Sequence, residues 1–285
     1  MPMKRPGLYR IESCQSIGHT AKQLGWGLIA LSLLGLTGCD ELFSSSSSGQ
    51  EHLLLGNPSG AGVAPNNYLM IKPQYALSYN RDRATANWAS WQLNDAWLGQ
   101  TKRQDDFRED PTLPPDWHQV DGNDYRGSGY DRGHLVPSGD RTASPTDNSA
   151  TFVMTNIIPQ TPENNREAWR ELEEYCRSLV RQGKELYIVA GVYENREKIS
   201  DGEVVAPRRT WKVVVVLDKP GAGLRSIDRD TRVIAVNVPN YLRVNDDWRT
   251  YRVSVDNLEN LTGYDFLSNV SSDIQAEIEA IVDQS

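Results

Sequence analysis

The sequence predicts an α+β domain, a mainly antiparallel sheet flanked by helices. Two observations carry that expectation: segments rich in β-branched residues come in groups rather than alternating with helices, and one strongly amphipathic helix separates the groups. At 285 residues and 38% hydrophobic, the chain can bury a core of that kind.

Residues 1–38 stand apart and read as an export signal. Lys4, Arg5, Arg10 and Lys22 precede the 13-residue apolar run "LGWGLIALSLLGL", which is too short to span a bilayer comfortably. "LTGC", Leu36 to Cys39, resembles the lipobox of bacterial lipoproteins, where the cysteine is lipidated and becomes the mature N-terminus. A simple anchor helix or ordinary signal peptide is the alternative. The expected location is therefore outside the cytoplasm, as a lipoprotein on the periplasmic or surface side of a membrane or as a secreted protein. Residues 39–52, with the tract "ELFSSSSSGQ", read as a flexible tether, and residues 53–285 as one folded domain.

Charge and cysteines narrow the classes further. The chain carries −8, and losing the leader leaves 26 basic against 37 acidic residues, a net −11. A broad basic coat for nucleic acid is excluded, so any polyanion site must be local. Cys14 leaves with the leader and Cys39 belongs to the lipobox, so Cys176 has no internal disulfide partner.

Along the domain, "YALSYN" (75–80) and "ANWASWQLN" (86–94) alternate enough for an early hairpin. Residues 164–184 predict the clearest helix, with Trp169, Leu172, Cys176 and Leu179 forming a buried stripe and Gly183 ending it. Strands follow at 184–193, 210–218, 231–239 and 251–258, and "SSDIQAEIEAIVDQ" predicts a second helix with Ile274, Ile278 and Ile281 in register.

The chemistry concentrates in "GSGYDRGHLVPSGDR", Gly127 to Arg141. By composition His134 is a core histidine or a functional one, and Gly127, Gly129 and Gly133 allow close approach to a ligand. A dinucleotide loop is excluded because the glycine spacing is wrong and no apolar strand leads in. No nucleophile elbow and no His/Cys zinc cluster occur, which leaves His52, His118 and His134 and favours a hard cation with oxygen ligands. "TNIIPQTPENNREAW", Thr155 to Trp169, supplies neutral oxygens. Asn164 or Asn165 reads equally as a helix N-cap, and Glu173 as one more solvent-facing glutamate beside Glu171 and Glu174.

"YDRGHL", "TNIIPQ", "NN" and "AWRELE" follow in an order and spacing that resemble the DNA/RNA non-specific endonucleases, the ββα-metal (His-Me finger) group that includes the Serratia nuclease and endonuclease G. Asn165 lies nine positions after Asn156, and Glu173 eight after Asn165. "YLMIKPQYALSYN", "GKELYIVAG" and "LTGYDFLSNVS" are similar to exported cyanobacterial members.

That resemblance implies a ββα-metal fold and a sugar-non-specific phosphodiesterase acting on single- or double-stranded DNA and RNA and leaving 5′-phosphate ends. It makes His134 the general base, workable at an unperturbed pKa of about 6.5 if a neighbour fixes the tautomer. Asn165 becomes the direct ligand of one Mg²⁺ or Mn²⁺ ion, and Glu173 holds its water shell. Arg132 and Arg103 grip the scissile phosphate, with Arg108 and Arg126 competing for the second role. Asp131 orients neighbours or a metal-bound water, and Asn156 positions the loop and the base. The partners implied are DNA and RNA, a candidate protein inhibitor, and a membrane only through Cys39, for a monomer or weak dimer. Two other readings are a non-catalytic lipoprotein that captures nucleic acid and a phosphoesterase of small molecules.

Overall fold

A computed structural model describes residues 49–285. The expected signal peptide, the expected lipobox at Cys39 and most of the expected tether lie outside the described residues. Among the described residues, His52, just before the expected boundary at 53, is buried in a short 3-10 turn, Gln50–Leu53. Its Nε2 bonds to the Pro73 carbonyl at 2.9 Å and its Nδ1 accepts the Gln92 N–H at 3.3 Å, so this histidine serves the fold.

Eight strands form one antiparallel sheet: β1 (Val63–Ala64), β2 (Asn67–Ile71), β3 (Ala76–Asn80), β4 (Thr85–Leu93), then β7 (Glu185–Ile199), β8 (Val204–Leu217), β9 (Val233–Pro239) and β10 (Arg252–Val253), adjacent in that order. The expected hairpin is β3–β4. Side-chain alternation gives the sheet two apolar faces. Trp91, Ile188, Val214 and Val236 belong to one core, and Trp88, Val189, Val213, Val215 and Ala235 to the other. The first face is covered by α2 (Trp169–Arg181), which follows the short α1 (Pro145–Ala150), through the expected stripe of Trp169, Leu172, Cys176 and Leu179. Cys176 is free and buried. The second face is covered by α3 (Val255–Thr262) and α4 (Ser272–Ile278) through Val255, Leu258 and Ile278.

Three elements differ from expectation. The segment expected as a strand over 251–258 pairs only at β10 and then turns helical, because the Ser254 side chain accepts the Asn257 N–H and caps α3. The last helix stops at Ile278, leaving Ile281 56% exposed. There the chain turns so that Asp283 meets Arg232 at 2.8 Å and Arg252 at 3.4 Å. Finally, "DRGH", outside the strands expected from the sequence, is a strand, β5 (Asp131–His134), paired antiparallel with β6 (Ile157–Gln160). β5, β6 and α2 together make the ββα unit, and the fold is of the ββα-metal type.

Candidate active site

β5 brings the motif's residues in fixed register, with Asp131 opposite Gln160 and His134 opposite Ile157. Arg132 and His134 line a cleft of about 440 Å³. Gly133 is required for a different reason than ligand approach: a Cβ there would collide with the Gln160 side chain. Beyond His134, the wholly buried Asn156 clamps the chain. Its Oδ1 accepts the Val136 N–H at 3.0 Å, its Nδ2 donates to the Val136 and Thr151 carbonyls at 2.9 Å, and its backbone carbonyl accepts the Leu135 N–H at 3.0 Å. Asn156 therefore fixes the segment carrying the imidazole and lies outside the cleft.

The helical half of the site depends on a local irregularity. The helix begins at Pro162, two residues before the expected start, and its Asn164–Ala168 stretch is a π turn in which the Trp169 N–H donates to the Asn164 carbonyl. In a regular α-helix, eight residues at about 100° each leave Asn165 and Glu173 about 80° apart. One extra residue in the turn makes eight count as seven, and the offset falls to about 20°. Both side chains consequently line the same cleft. Asn164 faces inward, bonding to Thr210 Oγ1 at 3.0 Å and the Pro239 carbonyl at 2.9 Å, and so locks the turn to the sheet. Neither asparagine caps the helix.

Asp131 sets the amide of Asn165. The Asn165 Nδ2 donates to Asp131 Oδ2 at 2.9 Å, and Arg166 donates to both carboxylate oxygens at 2.8 and 2.6 Å. Burial raises the pKa of Asp131, but these hydrogen bonds outweigh it and hold the carboxyl below its usual range. With Nδ2 committed, the Asn165 Oδ1 is left as a hard ligand, the donor type that Mg²⁺ or Mn²⁺ takes.

Of the cleft's lining residues, Arg103, Arg132, Arg166, Arg170 and Arg177 are cationic and Glu173 alone is acidic. A local positive site thus exists on an acidic protein. The Arg132 guanidinium lies 4.0 Å over the Phe107 ring, and that of Arg103 lies 4.8 Å over Phe152 and donates to Ser138 Oγ at 3.0 Å. The same aromatic pair holds His134 by packing, at ring distances of 5.5 and 4.9 Å. Packing stands in for the expected tautomer-fixing hydrogen bond, and the buried Nε2 has no hydrogen-bond partner among the described residues. The imidazole pKa also departs from the ordinary value: burial, then Arg103 and Arg132, push it down to about 3. Glu173, far from solvent-facing, has a side chain 14% exposed. Burial pushes its carboxyl up to about 7 against the pull of Lys212 and Arg177.

The remaining candidates separate. Arg126 lines an adjoining groove of about 560 Å³ that shares Arg103, Arg132 and Asn165 with the cleft. Arg108 pairs with Asp106 at 2.7 Å and borders another depression beside Lys72 and Asp110, so it does not compete with Arg103. His118 pairs with Asp124. Sequence reasoning missed Arg177 and Lys212. Arg177, one turn beyond Glu173 on the same helix face, lines the cleft and pairs with Asp140 at 2.8 Å. The buried Lys212 places its ammonium 4.1 Å from the Trp169 ring centroid and 3.9 Å from Glu173. Its signal was a lone cation within "TWKVVVV".

Residues 57–273 match the family model described as DNA/RNA non-specific endonuclease. A protein named "Nuclease" from a Nostoc species is 62% identical over 235 residues, covering 81% of this chain and 86% of the relative. Mitochondrial nuclease EXOG of Xenopus laevis is 29% identical over 70% of this chain, and mitochondrial endonuclease G of Homo sapiens 32% over 52%; the matches span 58% and 54% of those longer relatives. A chain in the crystal structure of the EndoG/EndoGI complex superposes with a TM-score of 0.64 at 23% identity, covering 78% of this chain and 91% of that one. With a ββα unit that converges His134, Asn165 and Glu173 on one arginine-lined cleft, and a family match across most of its length, the chain belongs to the DNA/RNA non-specific endonuclease family, a family of nucleases.

Proposed function

We propose that this cleft hydrolyses phosphodiester bonds in DNA and RNA, single- or double-stranded, without reading bases, using one Mg²⁺ or Mn²⁺ ion. The observation that carries the reading is the buried His134 imidazole, whose Nε2 has no hydrogen-bond partner among the described residues, in a cleft also lined by Arg103, Arg132, Asn165 and Glu173. Arg132 and Arg103 bind phosphate oxygens, which carry no sequence information. Burial, and after it the charges of Arg103 and Arg132, hold His134 near a pKa of 3; a bound phosphodiester offsets those two charges, so substrate binding itself raises the basicity of the imidazole. His134 then takes a proton from the attacking water, and the family's products, 5′-phosphate and 3′-hydroxyl ends, follow.

The residues present fit the ion: Asn165 Oδ1 would ligate it directly, and Glu173 through water. Bound there, it would supply Lewis-acid stabilisation of charge on the phosphate and the departing oxygen. Lys212 and Arg177 favour the ionised form of Glu173, and Asp131 keeps the Asn165 amide turned the right way.

Plasmid DNA and RNA incubated with the purified chain, with and without EDTA, test the proposal. Degradation that requires the metal and vanishes in His134→Ala supports it. Binding without metal-dependent degradation would turn the reading to capture, and cleavage of small diesters alone to a small-molecule phosphoesterase. The leader sequence carries the further proposal that the nuclease is exported, either anchored through Cys39 or secreted, and the inhibition of EndoG by EndoGI makes a protein inhibitor a candidate partner.

A further inference from the structure

We propose that Asp256, Glu259 and Glu279 form a cation site separate from the cleft, on the opposite face of the sheet, that takes one Ca²⁺ ion. Each offers one carboxylate oxygen, and the three oxygens lie within 4.8 Å of one another. Asp256 and Glu259 are neighbours one turn apart on α3. Glu279 follows α4 directly and is drawn in by a backbone bond, the Asp256 N–H donating to its carbonyl at 3.1 Å. The site therefore joins two helices that share the core of Val255, Leu258 and Ile278.

What points to a ligand is the state of Glu279. The residue is 5% exposed, and its Oε1 is buried with no hydrogen-bond partner among the described residues. Leaving a charged oxygen in that condition costs several kcal/mol unless something compensates it. Elsewhere this protein supplies the compensation: buried Asp110 holds Lys72 at 2.7 Å, Asp140 holds Arg177 at 2.8 Å and Asp283 holds Arg232 at 2.8 Å. Around Glu279 the charges are Glu259, Asp256 and Asp265, all of the same sign. A bound cation would offset these like charges and pair with the Glu279 oxygen.

Size and hardness select the ion. Ca²⁺, the larger hard cation, takes oxygen ligands in flexible geometry and suits three carboxylates from two helices, whereas Mg²⁺ demands near-octahedral geometry and is usually held by one or two carboxylates with waters. Half-buried Asp256 and Glu259 leave room for waters to complete a Ca²⁺ shell of about six to eight oxygens.

The test uses the full chain carrying Asn165→Ala, which removes the direct ligand proposed in the cleft and so separates this site from that reading. After EDTA treatment and dialysis, CaCl₂ is titrated by calorimetry and the melting temperature is followed by circular dichroism. One Ca²⁺ per chain is expected, with a rise in Tm, and adding Glu279→Gln or Asp256→Asn should weaken binding at least tenfold. Glu279→Gln should melt no lower than its parent in EDTA, since it removes an uncompensated buried charge. If it fails to fold, the half-buried Asp256→Asn gives the same reading. No Ca²⁺-dependent rise in Tm, or unchanged affinity in the folded variants, overturns the proposal.

Discussion

Acidification should destabilise this protein through His134 in a way that can be isolated. The unfolded imidazole, with a pKa near 6.5, takes up a proton that the folded one refuses until about pH 3. Because the folded pKa is depressed, the stabilising contribution is full above pH 6.5, shrinks as pH falls, and is exhausted near pH 3. At pH 5 the gap from 6.5 is about 1.5 units, or about 2 kcal/mol of lost stability. Glu173 works oppositely: its folded pKa of about 7 lies above the ordinary carboxylate value of 4.5, so its contribution improves as pH falls from 7 toward 4.5. Comparison with His134→Gln cancels that term, which is common to both proteins. Urea denaturation in EDTA at pH 8 and pH 5 should show wild type losing about 2 kcal/mol more than the variant. A difference below about 0.5 kcal/mol would mean that burial and the two arginines do not depress this imidazole, and the charge-compensation argument for its activation would fail with it.

Asn165→Ala should raise the Mg²⁺ concentration needed for half-maximal plasmid degradation by about 10- to 100-fold, and an unchanged requirement would count against its ligand role. Arg132→Ala should lower kcat/KM by about 10²- to 10³-fold, whereas Arg126→Ala in the adjoining groove should cost less than about tenfold; equal losses would move the phosphate contact. Gly133→Ala should destabilise the chain by about 1–3 kcal/mol in urea, because Gln160 must give way and its Nε2 hydrogen bond to Asn164 Oδ1, at 2.7 Å, would be disturbed.

Elements whose patterns were strong and local were legible in the sequence. The Trp169 to Leu179 stripe, the valine-rich strands and the β3–β4 hairpin announce themselves because burial on one or two faces imposes a period on neighbouring residues. The segment after Tyr251 was misread because "RVSV" satisfies a strand's alternation, while a single serine cap was enough to start a helix there. Arg177 could have been found by extending the Asn165 and Glu173 face one more turn. Lys212 could have been found by asking what a cation does in a buried strand.

The sequence by itself determined the family resemblance, the inventory of the site and the elements that carry it, since these depend on residue identity and short-range spacing. The tertiary structure decided what those residues are physically. Only packing shows that Asn156 is a clamp, that Phe107 and Phe152 hold the imidazole, and that two arginines and burial depress its pKa. Only the backbone shows that one π turn brings Asn165 and Glu173 onto a common face. Desolvation, long-range charge and helical phase sum over groups far apart in the chain, and no local pattern records that sum.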